Sequence, residues 1–175
     1  NINKSPICKG RSKLVSHWMN KAMCAVNVFD QKFSIDEEQK NLIEEFSFFD
    51  DWTERYEYLI DLGRKLPQFP SEYQVEEFKL KGCQSQVWFT GQNVEGRLVF
   101  QAISDAAIVS GLIALLMRVF SNRTAEEILS VDLKFLDEIG LDTHLSPTRK
   151  NGLNSMIRAI LNRAQNEIKR EDTRV

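Results

Sequence analysis

The spacing of apolar positions divides the chain into helical and extended stretches. Asp36 is placed to cap a helix, with Glu37 and Glu38 in its first turn and Leu42, Ile43 and Phe46 at helical spacing. After a break near Phe49 and Asp50, Trp52, Tyr56, Leu59, Ile60 and Gly63 fall on one face of a second helix, which Pro67 and Pro70 end. The period then drops to two. Phe78 and Leu80 alternate with Glu77, Lys79 and Lys81. Val87, Trp88 and Phe89 follow, and after a turn with Gly91, Asn93 and Gly96 come Leu98 and Phe100. This predicts three antiparallel strands, with a loop holding Cys83 between the first two and a hairpin near Gln92–Gly96.

Helical spacing then returns. Ser104 or Asp105 opens a helix that is apolar around most of its circumference from Ala106 to Val119, so it is predicted to be buried between the sheet and other helices. Thr124 and Glu127 form a capping box. A short helix runs from Asp132 to Ile139 and stops at Gly140. Ser146 and Pro147 start the last helix, carrying Leu153, Met156, Ile157, Ile160, Leu161 and Ala164 inward and fraying from Lys169 to Val175. Segregated strands and helices give an α+β fold: a small three-stranded antiparallel sheet with helices packed on one face. One domain over 34–170 accommodates all of this, with 171–175 a frayed end.

Length and composition agree with that reading. The 175 residues are 42% hydrophobic and 27% charged, which excludes collagen, a coiled-coil rod and a wholly disordered chain. The longest apolar run is interrupted by Ser110 and Gly111 and ends at Arg118, short of the ~20 residues needed to cross a bilayer. Net charge is −2, but residues 1–33 carry six basic side chains and one acid. The acidic remainder makes nucleic acid a poor partner, because phosphate binding needs a concentrated basic face. The basic stretch over 1–33 is read as a non-structural extension: a transit peptide or a start-site artefact, since Met19 and Met23 are available starts. A secretory signal is excluded for want of an apolar stretch after the charges. Three widely spaced cysteines, at 8, 24 and 83, are no disulfide framework and fit a reducing compartment. The location expected is therefore cytoplasmic, or plastid or another organelle if 1–33 is a transit peptide.

Cys83 is the main candidate for chemistry. It follows Gly82, which permits a sharp turn, and precedes the polar Gln84, Ser85 and Gln86. Cysteine is usually buried, so a loop position among polar neighbours is unusual. Lys79 and Lys81 are near enough in sequence to favour a thiolate if they turn toward it. The competing reading is a structural cysteine under its own loop. His144 could serve Cys83 as a base, or pack at the start of the last helix. Trp52 and Tyr56 could stack on a ligand, though core packing explains them. Asp105 reads as a helix cap, and Arg149 as a cation reaching outward against an unfavourable helix dipole. Outside the first 33 residues only Cys83 and His144 are soft metal ligands, too few for a structural zinc or a thiolate-bound cluster. No phosphate-binding glycine loop or nucleophile elbow is present.

Four blocks resemble the SufE family, the sulfur acceptors of iron–sulfur cluster assembly: "DWTERYEYLIDLGRKLP" (51–67), "KGCQSQVW" (81–88), "SDAAIVSGLIALL" (104–116) and "LDTHLSPTRKNGLNSMIRAI" (141–160). They occur in family order, and the similarity spans Asp36 to Ala164. The resemblance implies a fold shared in outline with U-type cluster scaffolds. It implies that Cys83 accepts sulfur from the persulfide of a PLP-dependent cysteine desulfurase of the SufS type, stimulates that enzyme, and relays the sulfur to a SufB-type scaffold, with no metal or cofactor on this chain. Gln84, Gln86, Asp105, His144 and Arg149 are then expected to support the fold or partner docking. An acceptor for a parallel CsdA-type desulfurase, a thiol enzyme using Cys83 and His144, and an interaction protein with an inert Cys83 are the alternatives.

Overall fold

The computed structural model describes residues 33–173, and its first helix starts at a capping box. Ser34 Oγ accepts the Glu37 N–H at 3.2 Å, and the Glu37 carboxylate accepts the Ser34 N–H at 2.8 Å. The cap is therefore Ser34 and not Asp36, which lies in the first turn where an acid favours the helix dipole. Helix α1 (Ile35–Ser47) buries Leu42 and Phe46. Helix α2 (Trp52–Arg64) is capped by Asp51, whose carboxylate accepts the Glu54 N–H at 2.9 Å. The reading of 1–33 falls outside the described residues except for Phe33, as do Cys8, Cys24 and His17.

The sheet has two strands, not three. Strand β1 (Val87–Val94) pairs antiparallel with β2 (Arg97–Ser104) through a two-residue turn in which Glu95 and Gly96 both have positive φ. That backbone twist matches the twist of the flanking strands. The stretch expected as the first strand contributes a single bridge, Lys79 to Trp88, and one hydrogen bond from the Leu80 N–H to the Val87 carbonyl at 2.7 Å. The alternating run is only a few residues long, and Phe78 is drawn into a 3₁₀ turn (Glu76–Phe78) by edge-on packing against Tyr73, 5.0 Å between ring centres. The strap made by residues 67–80 covers one face of the hairpin, where Val99 packs with Tyr73 and Val94. Leu98, Phe100 and Ala102 point to the other face and join the main core.

Helix α3 (Ala107–Phe120) runs through that core, with ten of its fourteen residues buried, so it has no solvent face to speak of. Its N-terminus is at Ala106, one residue beyond Asp105, and no side chain caps it. Helices α2 and α3 cross with their backbones in contact. A Cβ on Gly63 would stand 2.7 Å from the Gly111 nitrogen, and one on Gly111 would strike the Leu59 carbonyl. Arg118 ties α3 to α1 through Glu38 at 2.6 Å and a two-pronged contact with Glu45 at 2.7 Å.

Short helices α4 (Ala125–Leu129), α5 (Lys134–Glu138) and α6 (Leu141–His144) lead to α7 (Pro147–Asp172). The expected box at Thr124 and Glu127 is present, and Gly140, at φ 86°, separates α5 from α6. The last helix continues through Asp172, past the Lys169 at which fraying was expected. It is pinned to the hairpin. Arg163 donates to the Gly91 carbonyl at 2.9 Å, Asn93 donates to Glu167 at 2.7 Å, and Arg163 pairs with Glu167 at 2.5 Å. Burial pushes the Glu167 carboxyl up, but these two partners outweigh it and hold it below the usual carboxylate range. The resulting α+β arrangement has helices on one face of a small antiparallel sheet.

Candidate functional site

Cys83 sits in the loop between the strap and β1, and three contacts fix that loop. The Asp105 carboxylate accepts the Gln86 N–H at 3.1 Å, and the Asp105 N–H returns to the Gln86 carbonyl at 3.3 Å. Asp105 therefore closes the loop rather than capping α3, a correction to its sequence reading. An acid just before a helix looks like a cap in sequence, but a hairpin end lies beside it in space. At the other end, Gly82 takes φ 91°, and a Cβ there would lie 2.9 Å from Ser155 Oγ on α7. Both the turn and the close approach call for glycine.

The third contact is made by Cys83 itself. Its side chain points at α7, where Sγ donates to the Gly152 carbonyl at 3.7 Å. The sulfur borders a cavity of about 20 Å³ lined by the buried Val109, Leu153 and Met156 and by the exposed Gln84, Thr148 and Arg149. Burial pushes the thiol up. Lys79 pairs with Glu76 at 3.6 Å instead of turning to the sulfur. In this state Cys83 is a half-buried thiol held against α7.

The other expected site residues divide. Gln84 and Arg149 are exposed and stand at the cavity beside Cys83. Gln86 is exposed and acts through its backbone. His144 is not brought to Cys83. Its ring stacks on Trp52 with centres 3.9 Å apart, its Nδ1 lies 2.8 Å from Thr143 Oγ1, and its carbonyl accepts the Tyr56 hydroxyl at 2.5 Å. Trp52 and Tyr56 thus clasp the α6 turn and pack on the core, as the packing alternative had it. Among the described residues, no group of three or more His, Cys, Asp or Glu could hold a metal ion. Sequence reasoning missed Gly152, Val109 and Met156 as neighbours of the sulfur. Only Gly152 left a signal, as a glycine inside a helical pattern.

A family model described as "Fe-S metabolism associated domain", SufE, matches residues 40–164, which include Cys83 and its whole surround. The chain belongs to the SufE family. An uncharacterised SufE-like protein of Rhizobium meliloti is 43% identical over 132 residues, 73% of this chain and 94% of that one. A second, from Rhizobium etli, is 40% identical over 129 residues, 71% of this chain and 87% of the relative. The solution structure of a hypothetical protein from Thermus thermophilus superposes with a TM-score of 0.63 at 19% identity, over 75% of this chain and 96% of that one. That likeness establishes the fold alone. Membership of the SufE family assigns this chain to iron–sulfur metabolism. No helix among the described residues is long and apolar enough to cross a membrane.

Proposed function

We propose that this SufE-family protein is a sulfur carrier and that Cys83 is its acceptor. The observation that carries this reading is the setting of Cys83: a loop thiol held against a small cavity, with no base or orienting acid paired to it among the described residues. A self-sufficient thiol enzyme needs such partners, and His144, the one histidine among the described residues, is engaged with Trp52 and Thr143 instead. A carrier needs only the sulfur and a means of protecting it.

The donor is the persulfide on a PLP-dependent cysteine desulfurase of the SufS type. Cys83, as its thiolate, attacks the outer sulfur of that persulfide. A sulfur–sulfur bond forms to Cys83, the bond within the donor persulfide breaks, and the desulfurase cysteine leaves as a thiolate. No net oxidation or reduction occurs. Relieving the desulfurase of its persulfide stimulates its turnover. Cys83 then carries the sulfur to a SufB-type scaffold in the cytoplasm, where a second exchange of the same kind discharges it. Because burial disfavours the thiolate, the loop swings Cys83 out of its shelter on docking and returns it once loaded. Gln84 and Arg149, exposed beside the cavity, belong to the surface the desulfurase meets.

The test is the rate of alanine release from cysteine by a SufS-type desulfurase, with and without this protein. Wild type should stimulate it and Cys83→Ser should not. Stimulation of a CsdA-type enzyme alone would reassign the partner, and equal stimulation by Cys83→Ser would exclude the carrier role.

A further inference from the structure

Gly152 breaks a local rule for which the fold gives no reason. It lies inside α7, where glycine is less favourable than alanine. Its φ is not positive, and no backbone crosses it. A Cβ at this position would have one neighbour, Cys83 Sγ at 3.6 Å, an ordinary van der Waals distance. Gly63 and Gly111 are different, because backbone atoms stand where their Cβ atoms would go. Alanine at 152 would therefore fit, and would also favour the helix. What it would remove is space beside the sulfur. The cavity there is about 20 Å³, little more than the 10–15 Å³ that one water-sized probe occupies.

We propose that Gly152 is a positioning residue that keeps room beside Cys83 for the outer sulfur of its persulfide. This rests on the carrier reading above and adds a residue to it. Val109, Leu153 and Met156, all buried, line one side of that room, so a sulfur atom there finds polarizable apolar neighbours. With a methyl group in that space, a loaded Cys83 cannot tuck in, and its outer sulfur stays open to attack. An unloaded Cys83 still fits, because its own contact with the new methyl group is unstrained.

The test compares wild type, Gly152→Ala and the double variant Gly152→Ala/Val109→Ala, in which the second change returns volume to the cavity. Each is loaded with a PLP-dependent cysteine desulfurase and cysteine, freed of both, and mixed with glutathione. The glutathione thiolate attacks the outer sulfur, the sulfur–sulfur bond on Cys83 breaks, glutathione persulfide forms, and Cys83 leaves as a thiolate. Intact mass follows the loaded fraction. Stripping should be faster in Gly152→Ala by roughly fivefold or more, since exchange follows access to the sulfur. The double variant should recover most of the protection. Gly152→Ala should unfold at the same temperature as wild type or higher, and its unloaded Cys83 should react with iodoacetamide as wild type does. Wild-type retention in Gly152→Ala would overturn the proposal, as would failure of the double variant to recover. Failure of wild type to load at all would instead overturn the carrier reading itself.

Discussion

Cys83 owes its chemistry to what surrounds it more than to its own reactivity. Its sulfur is half-buried and donates weakly to one carbonyl. Burial favours the neutral form, so its pKa lies above the ordinary cysteine value of ~8.5. Alkylation of Cys83 by iodoacetamide, followed by peptide mass mapping, should keep rising at pH values where an exposed cysteine has levelled off. A midpoint at or below the ordinary value would mean that an unseen cation activates the thiol. The sign for stability follows. The folded state holds the thiol proton more tightly, so this contribution is present below the unfolded pKa and is lost as pH rises through the folded one. Near neutral pH Cys83 is therefore a poorer nucleophile than an exposed cysteine, in keeping with the proposed carrier role, in which it reacts only with its partner.

At the scale of elements, the site depends on helices held at fixed distances. Arg118 lies between Glu38 and Glu45, and Tyr58 donates to Glu45 at 2.5 Å. Burial pushes Glu45 up, but its hydrogen bonds from Arg118 and Tyr58 outweigh that and hold it below the usual carboxylate range. Burial and the same carboxylate raise the Tyr58 hydroxyl to about 12. Replacing Arg118 by Met leaves two half-sheltered carboxylates without their cation. The expected cost is roughly 2–3 kcal/mol, below the range for fully buried pairs because water still screens these groups. Glu45 stabilises the fold above its unfolded pKa of about 4.3, and loses this as pH falls through its lowered folded value. Arg118→Met should lack that acid-dependent component; denaturant unfolding at pH 7 and pH 3 checks both claims. Much of this frame was legible in the chain. Helical spacing located α1, α2, α3 and α7, and the Thr124 box located α4, because periodicity and caps are local signals. The first of the three expected strands was not. Phe78 alternates with charged residues as a strand residue would, yet aromatic packing against Tyr73, decided by tertiary structure, makes it part of a turn. The role of Asp105 was hidden for the same reason, since Gln86 is distant in sequence and adjacent only once the hairpin forms.

On the scale of the whole molecule, α7 links structure to site. Its C-terminal half is clamped to the hairpin by Arg163, Asn93 and Glu167, and its N-terminal half presents Gly152, Leu153 and Met156 to Cys83. The hairpin in turn carries the Cys83 loop at the start of β1. The sulfur and the wall beside it are thus held by one connected frame, with the loop tied at Gln86 to Asp105 and at Cys83 to the Gly152 carbonyl. Family membership was legible from four blocks of sequence that include Cys83, but the cavity beside that cysteine was not, because Val109 and Met156 reach it from two helices far apart in the chain. The most direct measurement is intact mass spectrometry of the protein after incubation with a cysteine desulfurase and cysteine, without reductant, beside Cys83→Ser. The account predicts one added sulfur atom on wild type, mapped to Cys83, and none on the variant. An unmodified wild type beside desulfurases of both types shown to be active, or an equal gain on Cys83→Ser, would contradict it.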